Sequence, residues 1–436
     1  MTKFSKGDDP LEPPPRAQEP RAQEHTGARE SGKGDDPFEP PPRAQEHTGA
    51  RVSLPFGLTE EVLAAAMAES DPGALAAATR LRRLAPPDQA AAALQQAALR
   101  QQAAAKFGAA AATMLFTRDG LEQATRPVVA EQHAQRFVAA GVHRVVDLGC
   151  GIGADALAFA QAGLEVVAVE RDPDTAAVAV ANLAGRAEVL CAEAEDVAAD
   201  LLTPGVGAFC DPARRNERGR LWQVTDFSPS WSLVTGLLDG RRTAGVKLGP
   251  ALPHDLVPAE ADAEWLTDRG DTVEVALWAG GGSVPGRRSA LVRADDGWHR
   301  LVTDPDATAL PVREVGAYVF EPAGAVIRSG GLAQLGRDLD AGLLDPHLAY
   351  LTGDAAVPTP FATAYAVRAR LPYAVRSLRR WLAEQQVGRL EIKQRGTTVD
   401  PARLRRELRL AGPNAATLIV SRTPAGTVAL VADRLG

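Results

Sequence analysis

The sequence predicts an α/β protein. Residues 141–294 read as a mostly parallel sheet with helices on both faces, preceded by an α-helical region at 53–140 and followed by a small α+β module at 361–436. Three observations carry this reading. From Val142 onward, apolar runs of strand length alternate with stretches of helical periodicity, the pattern of βαβ units. Three closely spaced glycines (Gly149, Gly151, Gly153) follow the first run, where a strand must turn into a helix. The C-terminal module has a compact β-α-β-α-β-β order of its own and is dense in arginine. The composition, 45% hydrophobic and 24% charged, suits a globular chain.

Taken in order, residues 1–52 contain an imperfect duplication. Lys6–Glu19 recurs as Lys33–Glu46 with only Leu11 changed to Phe38, and nine of the 32 prolines fall here. Too few apolar residues are present to form a core, so this tail is expected to be disordered and to take no part in chemistry. Ala- and Leu-rich helical periodicity fills 58–140. Strands are expected at Val142–Leu148, Val166–Glu170, Glu188–Leu190, Val206–Asp211 and Thr243–Leu248. Two further runs, Thr272–Trp278 and Ser289–Arg293, read as a hairpin closed by a Gly-rich loop, which inserts one strand antiparallel. Residues 295–355 read as a connecting subdomain with a strand near 317–320 and a helix near 332–341. Three cysteines (Cys150, Cys191, Cys210) are too few for a disulfide scaffold, and their spacing matches no zinc motif, so no metal is expected. No apolar stretch approaches the roughly 18 residues of a membrane span, and the N-terminus is not a signal peptide. A cytoplasmic protein without a membrane partner is expected.

The glycine cluster Asp147-Leu148-Gly149-Cys150-Gly151-Ile152-Gly153 allows a tight turn and close backbone approach to a ligand. Glu170 closes the next strand, where a carboxylate can accept both hydroxyls of a ribose. A dinucleotide site would continue to a further glycine under its pyrophosphate. Here Ala154 and Asp155 follow, and Asp147 adds a second acid. Negative charge at the loop disfavours a pyrophosphate and suits a cationic nucleoside, S-adenosylmethionine (SAM).

Val146–Gly153 resembles the first motif of the class I SAM-dependent methyltransferases. The resemblance implies a Rossmann-like, seven-stranded sheet, with Glu170 as the ribose-binding acid and Glu193, in Ala192–Asp196, at the adenine amino group. It also implies that Gln123 and Thr125, just before the sheet, fold over the methionine end of SAM. Strand four ends in Asp211-Pro212-Ala213-Arg214, similar to the Asp-Pro-Pro-aromatic turn of amino-directed nucleic-acid methyltransferases. Arg214 replaces the aromatic ring, and a guanidinium can stack on a base as well as bind phosphate. The turn also resembles that of RNA uracil-C5 methyltransferases, but no cysteine follows Cys210 to serve as their nucleophile. Direct in-line transfer is therefore expected, with Asp211 positioning the acceptor and taking its proton. Lys247, in an expected central strand, either faces the pocket or pairs with an acid, and Thr225–Trp231 is a candidate pocket wall.

Although the whole chain carries −7, residues 366–412 carry +8 and the remainder −15. Arg376, Arg379, Arg380, Lys393, Arg395, Arg405 and Arg406 are the candidate RNA contacts of this segment. The C-terminal module, through Leu390–Gly396, resembles a THUMP-like domain, and that resemblance implies an RNA substrate, rRNA or tRNA. The other readings are a methyltransferase for a small molecule or protein, and a non-catalytic RNA-binding protein that holds SAM.

Overall fold

The computed structural model describes residues 54–214, with Arg214 by its backbone alone, and 227–435. The disorder expected of residues 1–52 lies outside the described residues.

Five helices open the described chain: α1 (Glu60–Met67), α2 (Leu75–Leu81), α3 (Pro87–Phe107), α4 (Arg118–Gln123) and α5 (Pro127–Ala139). Their boundaries follow from capping chemistry. Thr59 accepts the Val62 amide at 3.3 Å to start α1, and Pro87 and Pro127 open α3 and α5 where a missing N–H costs nothing. The segment between α3 and α4 is fastened by two buried amide side chains. Gln96 bonds Phe116 through both its backbone groups (2.7 and 3.0 Å), and Asn182 does the same to Leu115 (2.7 and 3.0 Å).

The central layer runs β1 (Arg144–Leu148), α6 (Ala154–Gln161), β2 (Glu165–Glu170), α7 (Pro173–Leu183), β3 (Glu188–Cys191), α8 (Ala194–Leu201) and β4 (Gly207–Cys210). A short ribbon, β5 (Ala213–Arg214) with β6 (Phe227–Ser228), precedes α9 (Trp231–Leu237) and β7 (Ala244–Leu248). Then come β8 (Asp262–Asp268), β9 (Asp271–Ala279), β10 (Arg288–Ala294) and β11 (Gly297–Val302). They form one sheet in the order β11-β10-β8-β9-β7-β4-β1-β2-β3. The seven expected strands correspond to β1, β2, β3, β4, β7, β9 and β10, with β9 antiparallel between β7 and β8, and β8 and β11 bring the sheet to nine. Both faces are covered, which explains the continuous apolar runs: Val145, Val166 and Ala168 point into one core, Val146, Leu148, Val167 and Val169 into the other.

One pairing differs from the sequence reading. The hairpin is β8–β9, turning at Arg269-Gly270, and not the pair Thr272–Trp278 with Ser289–Arg293. Ser289–Arg293 lies in β10, which pairs parallel with β8, so the Gly-rich loop before it belongs to a crossover. β8 escaped notice because it carries Asp262, Glu264 and Asp268, all buried. Their charges are met from distant segments: Asp262 by Arg136 (3.2 Å) and Arg287 (3.1 Å), Glu264 by Arg300 (2.5 Å), Asp268 by Arg126 (2.8 Å) and Arg293 (3.1 Å).

The remaining chain contributes β12 (Tyr318–Pro322), α10 (Gly324–Ser329), α11 (Leu332–Asp338), β13 (Gly342–Asp345), β14 (Leu348–Gly353), β15 (Ala362–Pro372), α12 (Val375–Glu384), β16 (Val387–Arg395), α13 (Pro401–Leu408), β17 (Asn414–Thr423) and β18 (Gly426–Arg434). These strands form a second sheet, β13-β14-β12-β15-β18-β17-β16. Residues 295–355, which the sequence sets apart as a connector, give β11 to the first sheet and β12–β14 to the second. Phe320, Val326, Leu335 and Leu351 pack into the core cluster that also holds Trp265 and Val292, so apolar contact joins the two sheets. Leu378, Leu382, Leu404 and Leu408 seat α12 and α13 on one face of the second sheet, with their arginines outward.

Candidate active site

β1 runs into the glycine loop, where Gly149, Gly151 and Gly153 take φ of 84°, 55° and 84°, the left-handed region that side chains with a Cβ rarely adopt. The Gly149 and Cys150 amides both donate to Val169 O at 2.9 Å, tying the loop to β2. Glu170 ends β2 and its carboxylate accepts the Gly151 amide (3.0 Å) and the Asp172 amide (2.9 Å). α4 closes over the loop at contact distance. Thr117 caps it by accepting the Gly120 amide at 3.0 Å, and a Cβ at Gly120 would stand 2.4 Å from Ile152 Cγ2.

The resulting cleft is lined by Gln123, Thr125, Gly149, Gly151, Glu170 and Glu193, with Asp211 also in its wall. The other two residues expected to hold the cofactor lie outside the lining. Gly153 faces α7, where its Cβ would meet Leu183 at 3.3 Å, so its part is helix packing. Asp147 is 1% exposed beneath the loop, and neither carboxylate oxygen has a hydrogen bond among the described residues. Burial, with Asp155 and Asp211 nearby, pushes that carboxyl well up, towards its neutral form.

Gln123, Thr125 and Asp211 also line a second chamber, which Pro212 and Lys247 enter from the ends of β4 and β7. Lys247 Nζ forms an ion pair with Asp211 and donates to Thr125 Oγ1 (2.9 Å) and Gln123 O (3.3 Å). Desolvation disfavours the lysine charge, but Asp211, Asp155 and Glu274 outweigh it and raise the pKa. Burial raises the Asp211 carboxyl, with Lys247 opposing the shift. From Thr125 the network continues inward. Thr125 donates to Asp155 (2.5 Å), and His133 lies between Asp155 (2.8 Å) and Glu274 (2.7 Å). Burial works against a charged His133, yet Glu274 and Asp155 raise its pKa to about 10, so it is a cation at neutral pH.

This inner network was not assembled by sequence reasoning. Asp155 reads in the sequence only as an acid after the loop, and nothing local singles out His133, since Glu274 lies 141 residues along the chain. The Arg214 side chain, Thr225 and Asp226 lie outside the described residues, while Ser228 and Pro229 line the cleft.

The candidate RNA contacts do not share one surface. Arg376, Arg380 and Arg406 are exposed on α12 and α13. Arg379 donates to Glu407 O and Arg405 to Leu390 O, joining α12 to α13 and α13 to β16. Lys393 and Arg395 are on the opposite face of the sheet, beside Glu321 at 2.8 and 3.9 Å.

The chain is 32% identical over 323 residues to an uncharacterized S-adenosylmethionine-dependent methyltransferase of Mycobacterium tuberculosis, in strains CDC 1551 / Oshkosh and H37Rv alike, covering 73% of this chain and 87% of the relative. The chain belongs to the S-adenosylmethionine-dependent methyltransferases. Its fold is that of a solved putative methyltransferase from Porphyromonas gingivalis W83, with a TM-score of 0.70 at 19% identity over 86% of this chain and 99% of that one. Residues 362–434 of the methyltransferase match a THUMP domain-like family, and residues 60–103 a domain of unknown function. SAM is therefore the cofactor. The cleft suits it, for Gly151 has open space where a Cβ would stand, and two carboxylates, Glu170 and Glu193, are among its lining residues. Among the described residues, no helix is long and apolar enough to cross a membrane.

Proposed function

We propose that this methyltransferase transfers the methyl group of SAM to a base of rRNA or tRNA by direct in-line displacement. The observation that carries the reading is Asp211, which faces both the cofactor cleft and the second chamber and is paired there with Lys247. When bound, SAM supplies an electrophilic methyl group on a sulfonium. Glu170 would hold the ribose hydroxyls, Glu193 the adenine amino group, and Gln123 and Thr125 the methionine end. The acceptor enters from the second chamber, with an N–H bonded to Asp211. On methylation of that nitrogen, its proton would pass to the Asp211 carboxylate. Lys247 opposes the upward shift that burial imposes on Asp211 and so favours its ionised form. Arg214 stacks on the base or binds its phosphate. Cys210 is fully buried in β4, with its thiol pKa pushed well up, which favours direct transfer over a thiolate route.

The THUMP domain-like match supports RNA as the acceptor. The test combines purified protein, radiolabelled SAM, and RNA, protein and small-molecule extracts from host cells lacking the gene, with wild-type RNA as control. Label confined to the deletion-strain RNA is expected, whereas label in another extract overturns the RNA reading.

A further inference from the structure

The turn between β8 and β9 holds Arg269 at a φ of 53°, followed by Gly270 at 85°. Two-residue turns of this hand favour Asn or Gly at the first position, and arginine there is disfavoured by its Cβ. The side chain is exposed. Arg269 holds this disfavoured turn position in the lining of the second chamber, with its Nη1 3.5 Å from Ala105 O. Arg269 lines the chamber that contains Asp211 and Lys247, and equally a groove that runs on to the second sheet.

That groove is lined by Arg269, Arg293, Lys393, Arg395 and Arg434, against the single acid Glu321. Glu321 is shared between Lys393 and Arg395, Lys393 also meets Glu391 at 3.4 Å, and Arg293 is partnered by the buried Asp268, so five cations face three acids and the lining stays in positive excess. The groove occupies the face of the second sheet opposite α12 and α13, because Leu390 and Ile392 point to the helices while Lys393 and Arg395 point away. A positive groove that shares Arg269 with the chamber beside Asp211 fits one molecule with a polyanionic chain and a reactive base.

We propose that Arg269, Arg293, Lys393, Arg395 and Arg434 form a track for the sugar-phosphate backbone of the RNA, with Arg269 holding the phosphate next to the nucleotide presented to Asp211. This rests on the RNA reading above and locates RNA in the groove between the sheets, not on the outer arginines of α12 and α13.

The test uses fluorescence anisotropy of the full-length protein with a labelled single-stranded 20-mer RNA of mixed sequence, over a series of salt concentrations. Arg269→Asn combined with Arg434→Gln removes two exposed charges, and asparagine suits the turn. A second variant reverses Arg376, Arg380 and Arg406 to Glu. Retained SAM binding by calorimetry verifies that each variant is folded. The groove variant is expected to bind the RNA about tenfold more weakly and to lose about 1.4 from its log–log salt slope, at about 0.7 per phosphate contact. A loss under threefold in the groove variant overturns the track, whatever the outer variant does, and leaves the RNA reading intact. Absence of salt-dependent RNA binding by the unmodified protein overturns both.

Discussion

Lys247 of β7 and Asp211 at the end of β4 form an ion pair where the cofactor cleft meets the second chamber. Neighbouring parallel strands bring them together, since β4 and β7 pair in register from Ala208 with Ala244 to Cys210 with Val246. Behind the pair, Thr125, Asp155, His133 and Glu274 continue as a chain of hydrogen-bonded groups into the core. The Lys247 cation opposes the rise that burial imposes on the Asp211 carboxyl, and is itself held by Thr125 and Gln123.

Replacing Lys247 with methionine removes that cation from beside a carboxyl whose pKa burial already raises. The Asp211 carboxyl should then stay protonated to higher pH. The expected result is a kcat lower by about 10²-fold at neutral pH, the lower end of general-base effects, with the acid limb of the pH–rate profile moved upward. SAM turnover measured between pH 5 and 10 checks both; an unmoved acid limb would remove Lys247 from this role.

Glu170→Gln keeps the size of the side chain but removes the charge that would accept ribose hydroxyls. A lost charged hydrogen bond is worth about 2 kcal/mol, or roughly a thirtyfold weaker Kd for SAM. Calorimetry with SAM reads this directly; because the Gly151 and Asp172 amides use different carboxylate oxygens and glutamine has only one, one of these bonds is lost as well, and stability should fall by about 1 kcal/mol.

His133→Ala leaves Asp155 and Glu274 as buried acids without their shared cation. Breaking such an arrangement costs about 3–5 kcal/mol, to be read from urea unfolding at pH 7. The pH dependence has a definite sign. His133 binds its proton more tightly when folded, at about 10 against the usual 6.5, so its stabilisation is complete below about pH 6.5 and is lost as pH rises through about 10. Asp155 is held below the usual carboxylate range, chiefly by His133 acting against burial, so its part is lost on the acid side. A declining Tm between pH 6.5 and 10 is therefore expected in the native protein, with a shallower slope in His133→Gln.

Gly120→Ala tests the contact between α4 and the glycine loop. The added methyl would stand 2.4 Å from Ile152 Cγ2 and 2.6 Å from Thr117 Oγ1, so α4 must lift off the loop. SAM affinity should fall at least about tenfold, a cost of about 1.4 kcal/mol, although no polar partner of the cofactor is altered. Unchanged affinity would show that α4 does not cover the bound ligand.

The sequence by itself determined the features that rest on local chemistry. The glycine loop and Glu170 are legible because a strand-to-helix turn needs left-handed backbone at set positions. The six-element order of the C-terminal module is legible because its apolar periodicity changes cleanly between strand and helix. Only the tertiary structure decided what depends on distant partners. β8 looks unlike a buried strand until arginines from α5, β10, β11 and the crossover meet its acids. His133 becomes a buried cation only because Glu274, 141 residues away, faces it. One basic segment became two surfaces because alternate residues of β16 point to opposite sides of its sheet. A charge is legible in a sequence, but its energy is set by burial and by the countercharge brought to it, and both are settled only by how the chain packs.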